Sequence, residues 1–376
     1  MRIALLAPLR PPPAEPLGGV AERHVRLLAE GLAARGHDVT LYARPGGAPA
    51  RGYGVRAYDP ALAPAVDGLD AAEAASLRLR DAYGAVCDRV AAGRYDAVHD
   101  GTLHVVPWLR AGDLGPRLVH AVHGPPAAEF AACARAIRRP DRGRCAAVSR
   151  AVGDAWSLLA AEVEVVPVGI RLDRWRYSSR PVPGLCVFVG RIARDKGVHL
   201  ALDAARVAGR QMVVAGPIPL DDDGYFDDEV RPRLDRERRY VGDLDALATS
   251  QLVSNAECLV YASAETATAG FVPAASLACG TPVVAYDSPP IRETLDDLTG
   301  VLVPRGDAEA LGTAIARAVT LERRHCRRRA AERFALERMV DAYERIYSGL
   351  GARPPRGVHV LARAGGRGRA FASTAG

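Results

Sequence analysis

At 376 residues, with 49% hydrophobic and 25% charged side chains, the chain has a globular composition and is too long for one ordinary core, so two domains of roughly 150–200 residues are expected. The net charge of +6 is no argument for nucleic acid: residues 351–376 hold five arginines and no acid, leaving an excess of one positive charge elsewhere. No apolar run approaches the ~20 residues of a membrane span. MRIALLAPL is too short for a signal peptide and reads as a first buried strand. Seven cysteines (87, 133, 145, 186, 258, 279, 326) are scattered and never spaced C-x-x-C, which disfavours disulfides and zinc and points to a reducing cytoplasm.

In chain order, IALLA (3–7) predicts a strand. A Pro/Gly loop follows, then the helix VAERHVRLLAEGLAARG, with Val25, Leu28 and Leu32 on one face and Gly36 as the stop. DVTLYA (38–43) predicts the next strand, so the unit is β-loop-α-β and the sheet parallel. YDAVH (95–99), RLVHAVH (117–123), AAVS (146–149) and VEVVPVG (163–169) would extend that sheet. After the polar linker RLDRWRYSSRPVPG (171–184) the same grammar restarts. LCVFVG (185–190), QMVVAG (211–216), RYVG (239–242), ECLVYAS (257–263) and TPVVAY (281–286) read as strands, with helices after the first and around 247–254.

Leu336, Val340, Tyr343 and Tyr347 are spaced 4-3-4 on a last helix that needs a core and is expected to cross back. The expected division is therefore 1–171, completed by a crossover helix over 336–350; 172–335; and a disordered basic tail over 351–376. Two facing Rossmann-like α/β domains of this kind leave a cleft between the C-terminal ends of their sheets, where ligands bind.

Several stretches could place chemistry in that cleft. Gly18 and Gly19 follow the first strand at a helix N-terminus and either let an anion approach the backbone or form an ordinary loop; G-x-G-x-x-G is absent, which disfavours a nicotinamide enzyme. GRIARDKG (190–197) sets Arg191 and Lys196 five apart before a helix. The pair is either a receptor for a diphosphate or a solvated loop whose lysine pairs with Asp195. His120 and His123 end a strand and point to opposite sheet faces, so one of them faces the cleft or both serve packing. DDDGYFDDE (221–229) reads as a solvated acidic loop rather than a metal site, and RRHCRRR (323–329) as a solvated basic helix face rather than a membrane contact.

Taken in order, PLGGVAERHV, LAARGHDVTLYA, AVHGPP, VVPVGIRLDRW, FVGRIARDKGVHLALDAA, VVAGPI, YVG and ACGTPVVAYDSPPIRET resemble a GT-B glycosyltransferase of the family 4 type, over roughly residues 1–350. The resemblance implies retaining transfer of a sugar from a nucleotide-sugar co-substrate to an acceptor, with no cofactor and no metal-binding Asp-x-Asp. It implies that Arg191 and Lys196 stabilise the leaving diphosphate, and that Gly18 and Gly19 touch phosphate or acceptor. His123 would lie near the reacting sugar and the backbone near Leu244 would border the base. Gly190, with the Gly270, Phe271 and Val272 amides, would line the donor side.

The family commonly carries two glutamates separated by seven residues ahead of A-C-G-T-P, the first near the donor sugar and the second on the ribose. Those positions are Ala267 and Ala275 here, and Glu265 lies two residues early. The reading is an active cytoplasmic transferase with an altered donor pocket, and with no nucleic-acid partner. The alternatives are a non-catalytic scaffold that binds nucleotide or partners an active enzyme, and a nucleotide-sugar epimerase or pseudo-glycosyltransferase on the same fold. The donor sugar, the base and the acceptor are not identified by these residues, and nothing supports peripheral membrane contact.

Overall fold

The computed structural model describes residues 1–9, 19–44, 53–57, 71–137, 143–219, 223–263 and 270–350. Gly18, Glu265, Ala267 and the 351–376 tail therefore lie outside the described residues.

The first half of the chain runs β1 (Arg2–Leu6), α1 (Val20–Ala34), β2 (Asp38–Ala43), β3 (Gly54–Ala57), α2 (Ala71–Ala92), β4 (Ala97–Asp100), α3 (Val105–Leu109) and α4 (Ala111–Leu114). It continues with β5 (Leu118–Val122), α5 (Ala128–Ala136), β6 (Arg144–Ala147), α6 (Arg150–Trp156) and β7 (Glu162–Val165). All seven strands are parallel, in the order β3-β2-β1-β4-β5-β6-β7. Helices cover both faces of the central strands, and every residue of β4 and β5 is buried, His99, Asp100 and His120 included.

The second half runs β8 (Leu185–Val189), α7 (Val198–Val207), β9 (Gln211–Ala215), β10 (Arg238–Tyr240), α8 (Ala246–Asn255), β11 (Cys258–Tyr261) and α9 (Phe271–Ala278). Then come β12 (Val283–Tyr286), α10 (Pro289–Thr294), β13 (Gly300–Val303), α11 (Ala308–Ala318), α12 (Arg323–Phe334) and α13 (Leu336–Ser348). Its six parallel strands follow the order β10-β9-β8-β11-β12-β13. The edge strands β3 (GVRA) and β13 (GVLV) were not anticipated from the sequence.

The chain passes between the sheets at residues 170 and 335, and the two passes are bonded to each other. Ile170 N–H donates to Phe334 O at 2.6 Å and Leu336 N–H to Ile170 O at 3.0 Å. Beyond that bridge α13 buries Leu336, Met339, Val340, Tyr343, Ile346 and Tyr347. These pack with Ile3 and Leu5 of β1 and Val25, Leu28 and Leu32 of α1 in one apolar cluster of the first half.

The basic face of α12 corrects the expectation of a solvated helix. Arg324 is solvated, with 73% of its side chain exposed, but three of its neighbours are not. Arg323 donates to the carbonyls of Ser178 (2.6 Å), Ala256 (2.7 Å) and Ser254 (2.7 Å), and to Thr281 Oγ1 at 2.9 Å. Arg327 donates to Ala278 O at 2.5 Å, Trp175 O at 3.0 Å and Leu172 O at 3.1 Å. Arg329 donates to Thr294 O at 2.7 Å and Glu293 O at 3.2 Å.

The acceptors include the C-terminal carbonyls of α8, α9 and α10, which have no partner within their own helices and carry the negative end of each helix dipole. Three guanidinium forks thus cap three helices. Burial pulls the Arg323 and Arg329 pKa values below the ordinary arginine range. In the acidic run, Asp227 pairs with Arg231, and Glu229 with Arg233 and Arg194.

Removing one fork strands several part-buried carbonyls. Arg323→Ala is expected to lower unfolding free energy by about 3 kcal/mol, and Arg324→Ala to change it by less than ~0.5 kcal/mol. Chemical denaturation of the two variants checks this, and equal effects would refute the capping role.

Candidate active site

Open parallel sheets hold ligands outside the C-terminal ends of their strands, where the winding direction reverses. That reversal falls between β1 and β4 in the first sheet and between β8 and β11 in the second. Four chain exits therefore define the site: the β1 exit, which re-enters the described residues at Gly19; the β4 exit over 101–104; the β8 exit over 190–197; and the β11 exit, which re-enters at Gly270. One contact shows that the two reversal points face each other. The Arg23 guanidinium, in the first turn of α1, lies 4.5 Å from the ring centroid of Phe271, the first residue of α9.

The β8 exit carries Gly190, Arg191 and Lys196 in one loop. Asp195 sits between the cations, 3.2 Å from Arg191 Nη2 and 2.8 Å from Lys196 Nζ. Burial alone would raise the Asp195 carboxyl, but the Lys196 bond and the charges of Lys196 and Arg191 outweigh it and hold the pKa below the ordinary range. The loop ends at Gly197 with φ 68°, where a Cβ would stand 2.3 Å from Ala262 O. Only glycine permits both that left-handed backbone and that approach. The cation loop is thereby packed against the β11 exit, and Ser263 Oγ donates to Asp195 O at 3.3 Å to close the contact.

At the β11 exit Gly270 caps α9 without a side chain, so the first amides of the helix receive no side-chain cap from it. Phe271 is largely buried, Val272 partly so. Ala275 is 2% exposed and packs in the apolar cluster that spans both halves. Leu244 lies in the turn after β10, its carbonyl accepting from Thr249 Oγ1 at 3.3 Å. That turn is tied to the neighbouring exits by Gly216 N–H donating to Gly242 O at 2.9 Å.

His120 and His123 do take opposite sides of the sheet. His120 stacks on Trp108 at 4.1 Å and donates from Nδ1 to Asp100 Oδ2 at 2.7 Å, with both partners buried. Burial would raise Asp100, but the His120 and Thr102 bonds keep its carboxyl below the usual range. His123 lies on the α1 side, its ring 4.8 Å from that of His24.

The rest of that histidine group was missed from the sequence. His24 Nε2 lies 3.0 Å from Tyr343 Oη, and His99 Nδ1 lies 2.9 Å from Tyr347 Oη. His24 and His99 stack at 5.9 Å. Among the described residues, His24 Nδ1, His99 Nε2 and both His123 ring nitrogens are buried without a hydrogen-bond partner. A signal existed for His24, which shares the inward face of α1 with Ala21, Val25 and Leu28.

Among the described residues no three His, Cys, Asp or Glu side chains are grouped so as to hold a metal ion. No described helix is long and apolar enough to cross a membrane.

Residues 17–174 match the model of Glycosyltransferase Family 4, and residues 183–320 that of Glycosyl transferases group 1. Glycogen synthase of Mycobacterium tuberculosis is 29% identical over 193 residues, 49% of this chain and 45% of that enzyme, so the match spans about half of the curated relative. Among solved structures, sucrose-phosphate synthase from Thermosynechococcus elongatus superposes with a TM-score of 0.75 at 21% identity, over 93% of this chain and 99% of that one. HepE of Anabaena, solved with UDP and glucose, gives a TM-score of 0.72 at 16% identity, over 93% and 100%.

The buried histidines make a pH prediction. Burial drives His99 down to about 3 and His123 down to about 4, and it holds His24 well below 6.5 with help from the neighbouring His123 and His99. The other titratable groups of the cluster are Asp100, His120, Tyr343 and Tyr347. Because the folded pKa values lie below the unfolded ~6.5, the unfolded chain binds more protons in between. Stability is therefore intact above pH ~6.5 and lost as pH falls toward 4, by up to ~1.4 kcal/mol per pH unit for each histidine. Urea midpoints between pH 7.5 and 4.5 should fall accordingly, less steeply for His24→Gln; a slope unchanged by that substitution would contradict the account.

Proposed function

The chain belongs to the GT-B glycosyltransferases, and from that premise we propose that it moves a sugar from a nucleoside-diphosphate sugar to an acceptor hydroxyl, with retention at the anomeric carbon. The observation that carries the reading is the cation loop. Arg191 and Lys196 sit at the β8/β11 reversal, pinned to the β11 exit through Gly197 and opposite the start of α1. Such a pair suits a diphosphate, and its charge gains most in value as the leaving group takes up negative charge in the transition state. HepE, which shares the fold, was solved with UDP and with UDP-glucose, which makes a UDP-sugar the first donor to try.

In the proposed reaction the bond between the anomeric carbon and the diphosphate oxygen breaks, and the electron pair leaves with the phosphate. The acceptor oxygen attacks from the same face and its proton passes to the departing phosphate oxygen. Arg191 and Lys196, rather than a metal ion, neutralise that phosphate. Asp195 holds both cations in place before donor binds and keeps the empty site from carrying two uncompensated charges. The amides at Gly270, Phe271 and Val272 hold the sugar, the turn at Leu244 borders the base, and His123 faces the reacting centre.

A second reading, a nucleotide-binding scaffold without turnover, draws on Ala275, which offers no polar atom to a ribose and is sealed in the core. Both readings meet the same experiment. UDP-, GDP-, ADP- and dTDP-sugars are scored for thermal shift and for nucleoside-diphosphate release. One donor class should stabilise the protein and be turned over. Arg191→Ala and Lys196→Ala should each lower turnover about 100-fold, the worth of one charged hydrogen bond to the transition state. Stabilisation without release would favour the scaffold, and no shift with any donor would refute nucleotide-sugar binding.

A further inference from the structure

His24 breaks the pattern of the helix that carries it. It lies on the inward face of α1 with Ala21, Val25 and Leu28, 3% exposed, where an aliphatic side chain would leave no polar atom to satisfy. Its Nδ1 is buried without a hydrogen-bond partner among the described residues, and an unpaired buried polar atom costs free energy. Polar groups kept in a core at the expense of stability mark places where function constrains the sequence.

The His24 ring packs on a second histidine. His123 is the first residue past β5, 6% exposed, and its ring centroid stands 4.8 Å from that of His24 with the two planes 82° apart. The second side-chain torsion of a histidine is broad, so neighbours and not the rotamer fix the plane of the ring. A hydrogen bond at one nitrogen usually does this, but neither His123 nitrogen has one among the described residues. The edge-to-face packing on His24 takes its place.

His24 is itself held from behind. Its Nε2 lies 3.0 Å from Tyr343 Oη, its ring meets that of Tyr343 edge to face at 5.5 Å, and it stacks on His99 at 5.9 Å. Tyr343 is fully buried on α13, so a bond from the last helix of the chain orients the ring against which His123 packs. The plane of His123 matters chemically, because burial keeps both rings neutral at neutral pH. A neutral imidazole carries one N–H and one lone pair, and a half-turn of the ring changes the direction in which each of them points.

We propose that His24 is a positioning residue for the transfer: it fixes the plane of the His123 ring and so decides which nitrogen that ring offers to the reacting sugar. This rests on the transfer reading above, in which His123 faces the reacting centre, but the contact itself is measured without turnover.

The first measurement is a long-range proton–nitrogen correlation spectrum of the full chain, carrying isotope-labelled histidine and free of donor, in which the ring nitrogens report tautomer and exchange. His123→Ala assigns the His123 signals. Wild type should show one narrow His123 set, and His24→Gln should split or broaden it. Tyr343→Phe removes one hydroxyl and no ring, and should give the same change to a smaller extent even where His24→Gln folds poorly. His123 signals unchanged in both variants overturn the inference.

The second measurement is nucleoside-diphosphate release from the nucleotide-sugar that shifts the thermal midpoint. His24→Gln should lower kcat about ten-fold and leave the donor KM within about two-fold. In a His123→Ala background the same substitution should change kcat by less than about two-fold. A loss of equal size in both backgrounds shows that His24 does not act through His123, and overturns the inference while the transfer reading stands. Altered His123 signals with no release from any donor uphold the contact and refute the transfer reading instead, so the two failures are distinguishable.

Discussion

The geometry of the cleft depends on two backbone hydrogen bonds at the place where the chain crosses between its halves. Ile170 N–H to Phe334 O and Leu336 N–H to Ile170 O bind the outgoing and returning passes into one short parallel bridge. On one side of it α12 runs over the second sheet, its arginines capping α8, α9 and α10. On the other side α13 runs along α1, so closely that a Cβ on Gly31 would meet Val340 Cγ2 at 2.4 Å. The helices that follow β1 and β11 are therefore each held by a helix from the end of the chain: α1 by α13 and α9 by α12. The Arg23–Phe271 contact is the meeting of two starts whose bodies are already fixed.

That arrangement accounts for the polar groups α13 brings into the first half. Tyr343 and Tyr347 are buried, and their hydroxyls engage His24 and His99. A tyrosine buried with its hydroxyl bonded keeps the area gain of an aromatic and avoids an unpaired polar atom. The histidines do less well, because several ring nitrogens stay unpaired and neutral, and an unsatisfied buried donor or acceptor costs free energy. Networks of this kind specify position more than they add stability. Here they set the rotation of α1 against the sheet, and with it the direction in which Gly19 and Arg23 face.

Much of this was legible in the residues. Runs such as LCVFV and QMVVA could only be strands covered on both faces, and the 4-3-4 spacing of Leu336, Val340, Tyr343 and Tyr347 described a one-sided helix. GRIARDKG identified the cation loop because glycine and charge fall together at a strand end. The illegible parts have one physical cause: their partners are distant in sequence. RRHCRRR looks solvated because only Cys326, Ala330 and Phe334 of α12 are buried. The carbonyls that bind Arg323, Arg327 and Arg329 come from residues 35 to 155 positions away, and no local pattern encodes them.

The two alanines now stand in a definite physical setting. Ala275 lies in the core cluster, and its neighbours Ala274 and Ala278 are small and fully buried. On the proposed reading, a helix face of this kind excludes water from the floor of the donor side while supplying no side-chain acceptor to it. Lower water content raises the worth of every remaining charge interaction, and the cations placed there are Arg191 and Lys196, with Asp195 bonded to both, and Arg23 against Phe271. On the proposed reading, recognition moves from the sugar and ribose hydroxyls toward the diphosphate. Affinity for the common part of all nucleotide-sugars is retained, while discrimination among sugars passes to backbone amides and shape. Selectivity for the reaction then falls more heavily on the opposite wall of the cleft.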